Sequence, residues 1–253
     1  MTQLILVTGG TGTLGRPVVD RLLQSGSEVR VASRRAGPNR DLPYQWAQVD
    51  YRSDASTQAA LTGANVVVHC ANSARRVMDD RVVKAAVRAG VEHFVYISIV
   101  GIDRIPFRYY RNKLATERQL ATSGMPYTIL RATQFHDLAY QLVAALTKPW
   151  VAPLPKGWRV QPVEVDEVAD RLAVLARMPS AGGRVSDFGG PEVRTLPELA
   201  GSYRNAIGRP PRRVLPFPFP GATSAALRSG ANLTPEHADG QITFEQYLTA
   251  LRS

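Results

Sequence analysis

The sequence predicts an α/β fold in which helices cover both faces of a doubly wound parallel sheet. Three observations support this prediction. Short apolar runs alternate with stretches of helical periodicity through about the first 135 residues. Two of these runs, residues 65–69 and 93–98, are almost continuously apolar, as strands buried on both faces of a parallel sheet should be. A glycine-rich turn joins the first apolar run to the first helical stretch.

The predicted elements alternate along the first part of the chain. We expect strands at residues 3–8, 28–33, 45–49, 64–70, 92–98 and 126–131. We expect helices at residues 13–25, 54–62, 78–90, 109–123 and 134–146. Since each helix returns the chain to the same end of the sheet, this alternation predicts parallel strands.

The sequence changes character near residue 147. Prolines punctuate residues 148–157 and 215–221, which excludes an interior helix or a central strand there. The other elements expected in this part are a helix at about 166–176, a strand at 184–188, a helix opened by the capping-box residues Thr195 and Glu198, and a last helix at 243–251. We therefore predict a Rossmann-type sheet domain, residues 1–147, and a small C-terminal substrate lobe, residues 148–253. The two are expected to interleave in one globule, with the lobe over the carboxyl ends of the strands.

Residues 8–15, which read Thr-Gly-Gly-Thr-Gly-Thr-Leu-Gly, form the turn after the first strand. Gly9 allows the sharp turn, Gly12 lets the backbone approach a phosphate, and Gly15 lets the helix pack closely on the sheet. A pyrophosphate would then lie on free N–H groups at the positive end of the helix. Such a string also fits a turn that binds nothing, but here a second strand completes a strand–helix–strand unit of about 30 residues. We therefore predict a Rossmann-type dinucleotide site that includes Gly9, Thr11, Gly12, Thr13, Leu14 and Gly15.

The end of the second strand indicates which dinucleotide is bound. Sites that prefer NAD place a carboxylate there, on the ribose 2′-hydroxyl. Here the strand ends with Ser33, Arg34 and Arg35. A hydroxyl and two guanidiniums would bind a 2′-phosphate, which a carboxylate would repel. We therefore expect NADP(H) in preference to NAD(H); the alternative is that the two arginines are a solvated charge pair in a loop.

Three further residues are expected beside the cofactor. Asp50 ends the third strand, where it either meets the adenine amino group or caps the turn before the next helix. Ala71 and Asn72 end the fourth strand and should pass beside the cofactor.

The charge distribution argues against a nucleic-acid partner and a metal. The formal net charge is +10, but the arginines are scattered and occur only in short doublets. The sequence has no basic helix and no zinc-ligand spacing. The positive charge should instead attract anionic ligands, including phosphorylated cofactors.

The apolar pattern favours a cytoplasmic protein without a membrane partner. The hydrophobic content of 44% fits a soluble globular protein with a sizeable core. The chain has no run of about 18 apolar residues, and its N-terminus lacks the pattern of a signal peptide. The one cysteine, Cys70, ends an apolar run and is expected to be a small core residue.

Tyr109 and Lys113 lie four residues apart in the helix predicted after the fifth strand, and therefore on one face of it. A lysine ammonium stabilises a phenolate and can thereby make a neighbouring tyrosine a proton donor. The same ammonium can hold a nicotinamide ribose, and Ser98, at the end of the fifth strand, can hydrogen-bond a substrate oxygen. Tyr110 is a rival for Tyr109, because it precedes Lys113 by three residues. A surface helix pair without a catalytic role is the other alternative.

The glycine-rich turn, Ser98, the Tyr109–Lys113 pair and the segment Ile129-Leu-Arg-Ala-Thr-Gln-Phe135 together resemble the short-chain dehydrogenase/reductase superfamily. More narrowly, they resemble its atypical, NmrA-like branch of NAD(P)-binding proteins, over most of the chain. The resemblance implies hydride transfer between a nicotinamide and a carbonyl, quinone or conjugated double bond. It implies that Tyr109 donates the proton, Lys113 binds the ribose and tunes the tyrosine, and Ser98 orients the substrate.

Two functions are therefore considered. The first is an NADP(H)-dependent oxidoreductase, a monomer or homodimer, that acts on a small apolar or aromatic molecule. The second is a non-catalytic sensor that binds NADP(H) and a protein partner; an epimerase or dehydratase is a weaker third. Tyr109 and Lys113 favour the enzyme, since a sensor needs no proton donor.

His136 either lines the pocket or is an ordinary polar residue at a helix start. Four aromatic residues either form an apolar lid or pack the small lobe: Trp150, Trp158, Phe217 and Phe219.

Overall fold

The computed structural model describes residues 3–39, 41–71, 76–210 and 212–252. Its strands are β1 (Leu4–Thr8), β2 (Glu28–Ser33), β3 (Gln45–Gln48), β4 (Val66–His69), β5 (His93–Ile99), β6 (Tyr127–Ala132), β7 (Val151–Pro155), β8 (Arg159–Val160), β9 (Gly183–Arg184), β10 (Arg194–Thr195) and β11 (Arg213–Phe217). Its helices are α1 (Gly15–Gln24), α2 (Asp54–Leu61), α3 (Arg76–Arg88), α4 (Arg108–Ala121), α5 (His136–Leu146), α6 (Val165–Arg177), α7 (Leu196–Ala206), α8 (Ala222–Arg228) and α9 (Phe244–Ala250).

The chain divides into two compact units, each built from three segments. The first comprises Met1–Ser98, Arg111–Arg131 and Val165–Val185, and the second comprises Ile99–Tyr110, Ala132–Glu164 and Ser186–Ser253. This division differs from the predicted boundary between residues 147 and 148. The reason is that α6 packs against α1, and β9 pairs with β6, so residues 165–185 belong with the sheet.

A seven-stranded sheet organises the first unit, in the strand order β3-β2-β1-β4-β5-β6-β9. β1 pairs in parallel with both β2 and β4, and the further pairs β2–β3, β4–β5 and β6–β9 are also parallel. The order reverses between β1 and β4, which is where sheets of this kind bind their ligands. The six strands and five helices predicted before residue 147 are all found, with ends within two residues of the prediction. The predicted doubly wound α/β class is therefore confirmed.

Both faces of this sheet are covered by helices. Leu6, Val67, Phe94 and Tyr96 are fully buried on one face, in a core completed by residues of α2, α3 and α4. Since alternate residues of a strand point to opposite faces, the other face is left for α1 and α6, which pack against each other and against the strands. An ion pair between Arg21 and Asp170 (Nε–Oδ1 2.6 Å) joins these two helices at the surface.

A buried ion pair connects α4 to β6. The Arg131 guanidinium donates to both carboxylate oxygens of Glu117, with Nε–Oε1 and Nη2–Oε2 distances of 3.0 Å and 2.7 Å. Both side chains are less than one-tenth exposed. Loss of one partner would leave the other charge buried without this ion pair, which is far costlier than loss of an exposed pair.

The second unit has its own core and two small sheets. β7 pairs in parallel with β11, and β8 pairs antiparallel with β10. The core combines residues of α5, β7, α7 and α9, among them Val143, Leu154, Leu199 and Phe244. α7 begins at the predicted capping box. The Thr195 hydroxyl accepts the backbone N–H of Glu198, and the Glu198 carboxylate accepts the backbone N–H of Thr195.

β7 and β11 were not predicted, because β7 lies within one proline-rich segment and β11 overlaps the other. Pro153 points away from the core between the buried residues Ala152 and Leu154. Because a two-stranded sheet leaves each strand with an open edge, a residue without an N–H can be accommodated there. The predicted exclusion of a central strand is thus compatible with the observed pairing.

Across residues 3–39, 41–71, 76–210 and 212–252, the helices are all too short or too polar to cross a membrane.

Glu117→Ala should lower the free energy of unfolding by about 3–5 kcal/mol, because it leaves the Arg131 charge buried without this partner. Asp170→Ala, which breaks the exposed pair with Arg21, is the matched control and should cost less than about 1 kcal/mol. Urea unfolding monitored by circular dichroism measures both. Equal losses in the two variants would contradict this account of the buried pair.

Candidate active site

The turn between β1 and α1 leaves no room for a side chain at two of its glycines. Gly9 has a φ angle of +67°, and a Cβ atom built on it would lie 2.7 Å from Cα of Ala71. A Cβ atom at Gly15 would overlap the carbonyl oxygen of Gly9. The same oxygen accepts a hydrogen bond from the Gly12 N–H (2.8 Å), so the turn folds back on itself. Glycine is therefore required at both positions.

The start of α1 is suited to an anion. Leu14 occupies the N-cap position and carries no hydroxyl or carboxylate that could bond the first N–H groups of the helix. The first turn contains no acidic residue. Gly12 and Thr13 are exposed, while Leu14 and Gly15 are buried against the protein. Since the positive end of the helix is open to a ligand, the predicted pyrophosphate fits the residues that are present.

The end of β2 presents one buried hydroxyl and two exposed guanidiniums. Ser33 is 5% exposed, and its Oγ accepts the N–H of Arg35 (3.2 Å), which leaves the hydroxyl proton free to be donated elsewhere. Trp46 Nε1 donates to the Arg35 carbonyl oxygen (3.2 Å) and so holds the backbone of this loop. Arg34 and Arg35 are both exposed. This arrangement fits either a phosphate site or the solvated pair considered above.

Asp50 is occupied by its own turn. Its Oδ1 accepts the backbone N–H and the Nε–H of Arg52, at 3.0 Å and 3.1 Å. These hydrogen bonds lower the pKa of the Asp50 carboxyl. The helix cap itself is Ser53, which accepts the N–H of Ser56 (3.2 Å). The turn interaction is thus present, and an adenine contact stays a prediction.

Ala71 lies against the glycine-rich turn, as described for Gly9, and its N–H donates to Oγ1 of Thr8 (3.2 Å). The end of β4 therefore brings Ala71 to the glycine-rich turn. This position is compatible with the predicted place of Ala71 beside the cofactor, which stays a prediction. Asn72 lies outside the described residues.

Lys113 is a buried cation at the carboxyl end of β5. Its side chain is 7% exposed, and Nζ donates to the carbonyl oxygen of Ile97 (2.8 Å) and to the Tyr96 hydroxyl (3.3 Å). Nζ also lies 4.5 Å from the centroid of the Tyr96 ring. Burial lowers the pKa of Lys113 to about 8, although the negative charge of Asp79 favours the protonated form. The lysine therefore changes charge close to neutral pH.

Ser98 follows Ile97 directly and is 2% exposed. Its Oγ is buried and has no hydrogen-bond partner among the residues that the structure describes. A buried hydroxyl without a partner is unfavourable, so this atom is a natural contact for a ligand.

Tyr109 and Tyr110 are both half-buried on α4. The buried residues of this helix are Lys113, Thr116, Glu117 and Leu120. At about 100° per residue, Tyr109 is about 40° from Lys113 around the helix axis and Tyr110 about 60° on the other side. The buried residues lie mostly toward the Tyr109 side. Burial raises the pKa of Tyr110.

Sequence reasoning missed a buried polar network beneath the glycine-rich turn. Thr8 Oγ1 and His69 Nδ1 are 2.7 Å apart, and His69 Nε2 is 3.2 Å from Oδ1 of Asp79. The His69 ring also stacks on the ring of Tyr96, with 5.7 Å between centroids. A signal was present in the sequence, because Asp79 precedes Val82, Val83 and Ala86 at helical spacing. A carboxylate on that apolar face needs a buried partner.

His136 and the aromatic residues of the second unit have packing roles in the structure. His136 is buried, donates from Nε2 to the Ile242 carbonyl oxygen (2.9 Å) and stacks on Tyr247 (5.2 Å between centroids). Burial lowers the pKa of His136. Trp158 and Phe217 each contact Phe219, whereas Trp150 is 83% exposed beneath the Arg212 guanidinium. The alternative role of the four aromatic residues as a lid over a substrate stays a prediction.

Comparison with known proteins agrees with this geometry. The family described as NAD(P)H-binding matches residues 9–169. A reductase of Streptomyces griseus that acts on (4-alkanoyl-5-oxo-2,5-dihydrofuran-3-yl)methyl phosphate is 30% identical over 216 residues, covering 83% of this chain and 76% of that protein. Quinone oxidoreductase 2 of Escherichia coli is 27% identical over 218 residues, covering 81% of this chain and 75% of that protein.

Comparison with solved structures shows that the fold is shared with a known protein. The crystal structure of the Escherichia coli NADPH-dependent quinone oxidoreductase with NADPH superposes with a TM-score of 0.83, at 20% identity, over 98% of this chain and 100% of that one. The predicted resemblance is thereby confirmed, as is the prediction of an NAD(P)H-dependent oxidoreductase. The chain belongs to the NAD(P)H-binding family, in the atypical, NmrA-like branch of the short-chain dehydrogenase/reductase superfamily.

Proposed function

We propose that this oxidoreductase uses NADPH to reduce a small apolar or aromatic substrate with a conjugated carbonyl, such as a quinone. The observation that carries the proposal is the pair of groups at the end of β5. The Lys113 ammonium donates a hydrogen bond to the Ile97 carbonyl oxygen, and the next residue is Ser98, whose hydroxyl has no partner in the part of the chain that the structure describes. A titrating cation on the backbone of Ile97, followed directly by a hydroxyl with no partner among the described residues, suits a site where an oxygen gains a proton.

The residues have separate roles in this reaction. NADPH, when bound, supplies the hydride, and the proton that completes the reduction comes from the protein. Tyr109 gives its phenolic proton to the substrate oxygen, and Lys113, one helical turn further on, stabilises the phenolate that remains. Ser98 donates a hydrogen bond to the same substrate oxygen and holds it in place. As the pH rises through about 8, Lys113 loses its charge and this stabilisation is lost.

The preference for NADPH is supported by the end of β2. Ser33 keeps a hydroxyl proton available, and Arg34 and Arg35 are exposed next to it. The three residues include no carboxylate to repel a 2′-phosphate. Gly9, Thr11, Gly12, Thr13, Leu14 and Gly15 would hold the pyrophosphate, and Asp50, Ala71 and Asn72 would border the nucleotide. The NADPH dependence of the Escherichia coli relative supports the same choice.

The substrate class is supported by the relatives' names. One relative reduces an unsaturated oxo-dihydrofuran and another a quinone, and both are cyclic compounds with a conjugated carbonyl. Hydride addition to such compounds places negative charge on an oxygen, which is where Tyr109 and Ser98 are proposed to act.

The double variant Arg34→Ala/Arg35→Ala should raise the Kd of NADPH at least about 10-fold and that of NADH less than about 3-fold, because only NADPH has the 2′-phosphate. Fluorescence titration measures both constants. Arg118→Ala/Arg177→Ala removes two exposed arginines elsewhere and controls for the change in net charge. Equal losses for the two cofactors would refute the preference.

Gly9→Ala should raise the Kd of NADPH more than about 10-fold, since the new Cβ collides with Ala71 and displaces the turn. Gly26→Ala is the control, because Gly26 has a similar φ of +76° but nothing within 4 Å of its Cβ position. The control should lose some stability but keep its affinity. A Gly9→Ala protein that binds NADPH normally would show that the close approach is not needed.

The reaction is tested by mixing the protein with NADPH and a panel of quinones, azo dyes and aldehydes, and following absorbance at the nicotinamide band. We expect NADPH to be consumed with one or more quinones. Tight binding of NADPH without consumption across the panel would overturn the enzyme assignment and favour the sensor.

Tyr109→Phe should lower kcat on the active substrate by about 100-fold or more, because the phenolic proton is removed. Tyr110→Phe removes the same atom from the neighbouring residue and should retain kcat within about 3-fold. Steady-state kinetics at neutral pH measures both. The reverse result would assign the proton donor to Tyr110.

A further inference from the structure

The buried polar network of the first unit links the glycine-rich turn to the helix that carries Lys113. It runs from Thr8 through His69 to Asp79, whose second carboxylate oxygen lies 3.5 Å from the hydroxyl of Thr116. Thr8, His69, Asp79 and Thr116 are each less than 5% exposed. Thr116 is three residues after Lys113 and on the same buried face of α4. The network therefore reaches the helix within one turn of the lysine.

The protons between Thr8, His69 and Asp79 can be assigned when Asp79 is ionised and His69 is neutral. The Ala71 N–H donates to Thr8, and the Thr8 hydroxyl donates to His69 Nδ1. His69 then carries its proton on Nε2 and donates it to Asp79. The Thr116 hydroxyl has two acceptors, the Asp79 carboxylate at 3.5 Å and the Asn112 carbonyl oxygen at 3.3 Å. With His69 neutral, the contacts that described residues make to the Asp79 side chain come from neutral groups.

Lys113 faces groups from several elements. Asp79 is on α3, Glu117 on α4, Cys70 after β4 and Tyr96 on β5, and the negative forms of the first three favour the protonated lysine. Glu117 is already paired with Arg131 through two hydrogen bonds. Burial raises the pKa of the Cys70 thiol to about 12, so it is uncharged at neutral pH. Asp79 is therefore the carboxylate near Lys113 whose charge no guanidinium among the described residues balances.

We propose that Asp79 is a positioning residue for Lys113: a buried carboxylate, held by His69, whose negative charge balances the lysine ammonium. The proposal rests on the role given to Lys113 in the proposed function. It adds that the charge of the lysine depends on a residue of α3 to which the proposed function gives no contact with cofactor or substrate. Because His69 also bonds to Thr8, the orientation of this carboxylate is tied to the strand that carries the glycine-rich turn.

The test follows the protonation of Lys113 directly, without cofactor or substrate. The chain has only four lysines, Lys84, Lys113, Lys148 and Lys156, so ¹³C labelling at lysine Cε gives four signals whose pH dependence NMR resolves. Lys113→Met identifies the signal of Lys113 by its loss. We expect that signal to titrate near pH 8 in the unmodified protein. Asp79→Asn keeps the shape and one acceptor of the side chain and should move the midpoint down by about one pH unit.

Asp80→Asn is the matched control. Asp80 is the next residue and pairs with Lys84 at the surface (2.9 Å), so its loss should leave the Lys113 midpoint unchanged. A midpoint in Asp79→Asn within about 0.2 unit of the unmodified protein, or an equal shift in both variants, would overturn the proposal.

A second measurement needs no variant that could fail to fold. In the unmodified protein, the carboxyl ¹³Cγ signal of Asp79 should show an inflection at the pH where Lys113 titrates, because each charge senses the other. A flat Asp79 signal through that pH would overturn the proposal. Failure of NADPH turnover, by contrast, would overturn only the proposed function. If turnover is found, the alkaline limb of kcat should shift to lower pH in Asp79→Asn and stay in place in Asp80→Asn.

Discussion

The close approach of the β1 turn to the end of β4 is the constraint on which the rest of the site depends. Thr8 and His69 are register partners in the parallel pair of these strands, and the chain beyond them meets where Gly9 lies against Ala71. A side chain at Gly9 would force the two segments apart. The turn would then move, and with it the N–H groups at the start of α1. The fit of a pyrophosphate is therefore decided by a contact between two backbones that are distant in sequence.

The same strand ends explain why polar groups are buried beneath the site. Side chains at the carboxyl end of a parallel sheet are enclosed by helices on both faces, so most polar groups there find a partner inside the protein. His69 bonds to Thr8 and Asp79, Arg131 bonds to Glu117, and Lys113 bonds to a carbonyl oxygen. Burial of a cation without full compensation makes its neutral form accessible. The pKa of Lys113 is consequently lowered to about 8, which suits a group that assists proton transfer near neutral pH.

Much of the first unit could be predicted from sequence because its signals are local: apolar periodicity located its strands and helices. In the second unit, the capping-box pattern located the start of α7. The features that were missed depend on partners far away in the sequence or on the local geometry of the folded chain. His69 lies in an apolar run, and its partner Thr8 is 61 residues away. β7 and β11 are rich in proline, and only their pairing across some 60 residues makes them strands. Likewise, the hydrogen bonds of Asp50 to Arg52 depend on a turn geometry that composition does not specify.

The buried groups at the end of β5 distinguish an enzyme from a protein that only binds a dinucleotide. Binding requires the glycine-rich turn and the open start of α1, and both are satisfied far from Lys113 in the sequence. A buried hydroxyl without a partner costs about 1–3 kcal/mol, and a buried ammonium costs more unless its charge is balanced. Ser98, with no hydroxyl partner among the described residues, and Lys113, bonded to the preceding Ile97 carbonyl oxygen, carry these two costs at the end of β5. Such destabilising groups are expected at sites where contact with a reacting molecule offsets the free-energy cost of burying them. The arrangement therefore supports the proposed chemistry at this point, in which we propose that the charge of Asp79 keeps the lysine able to take part.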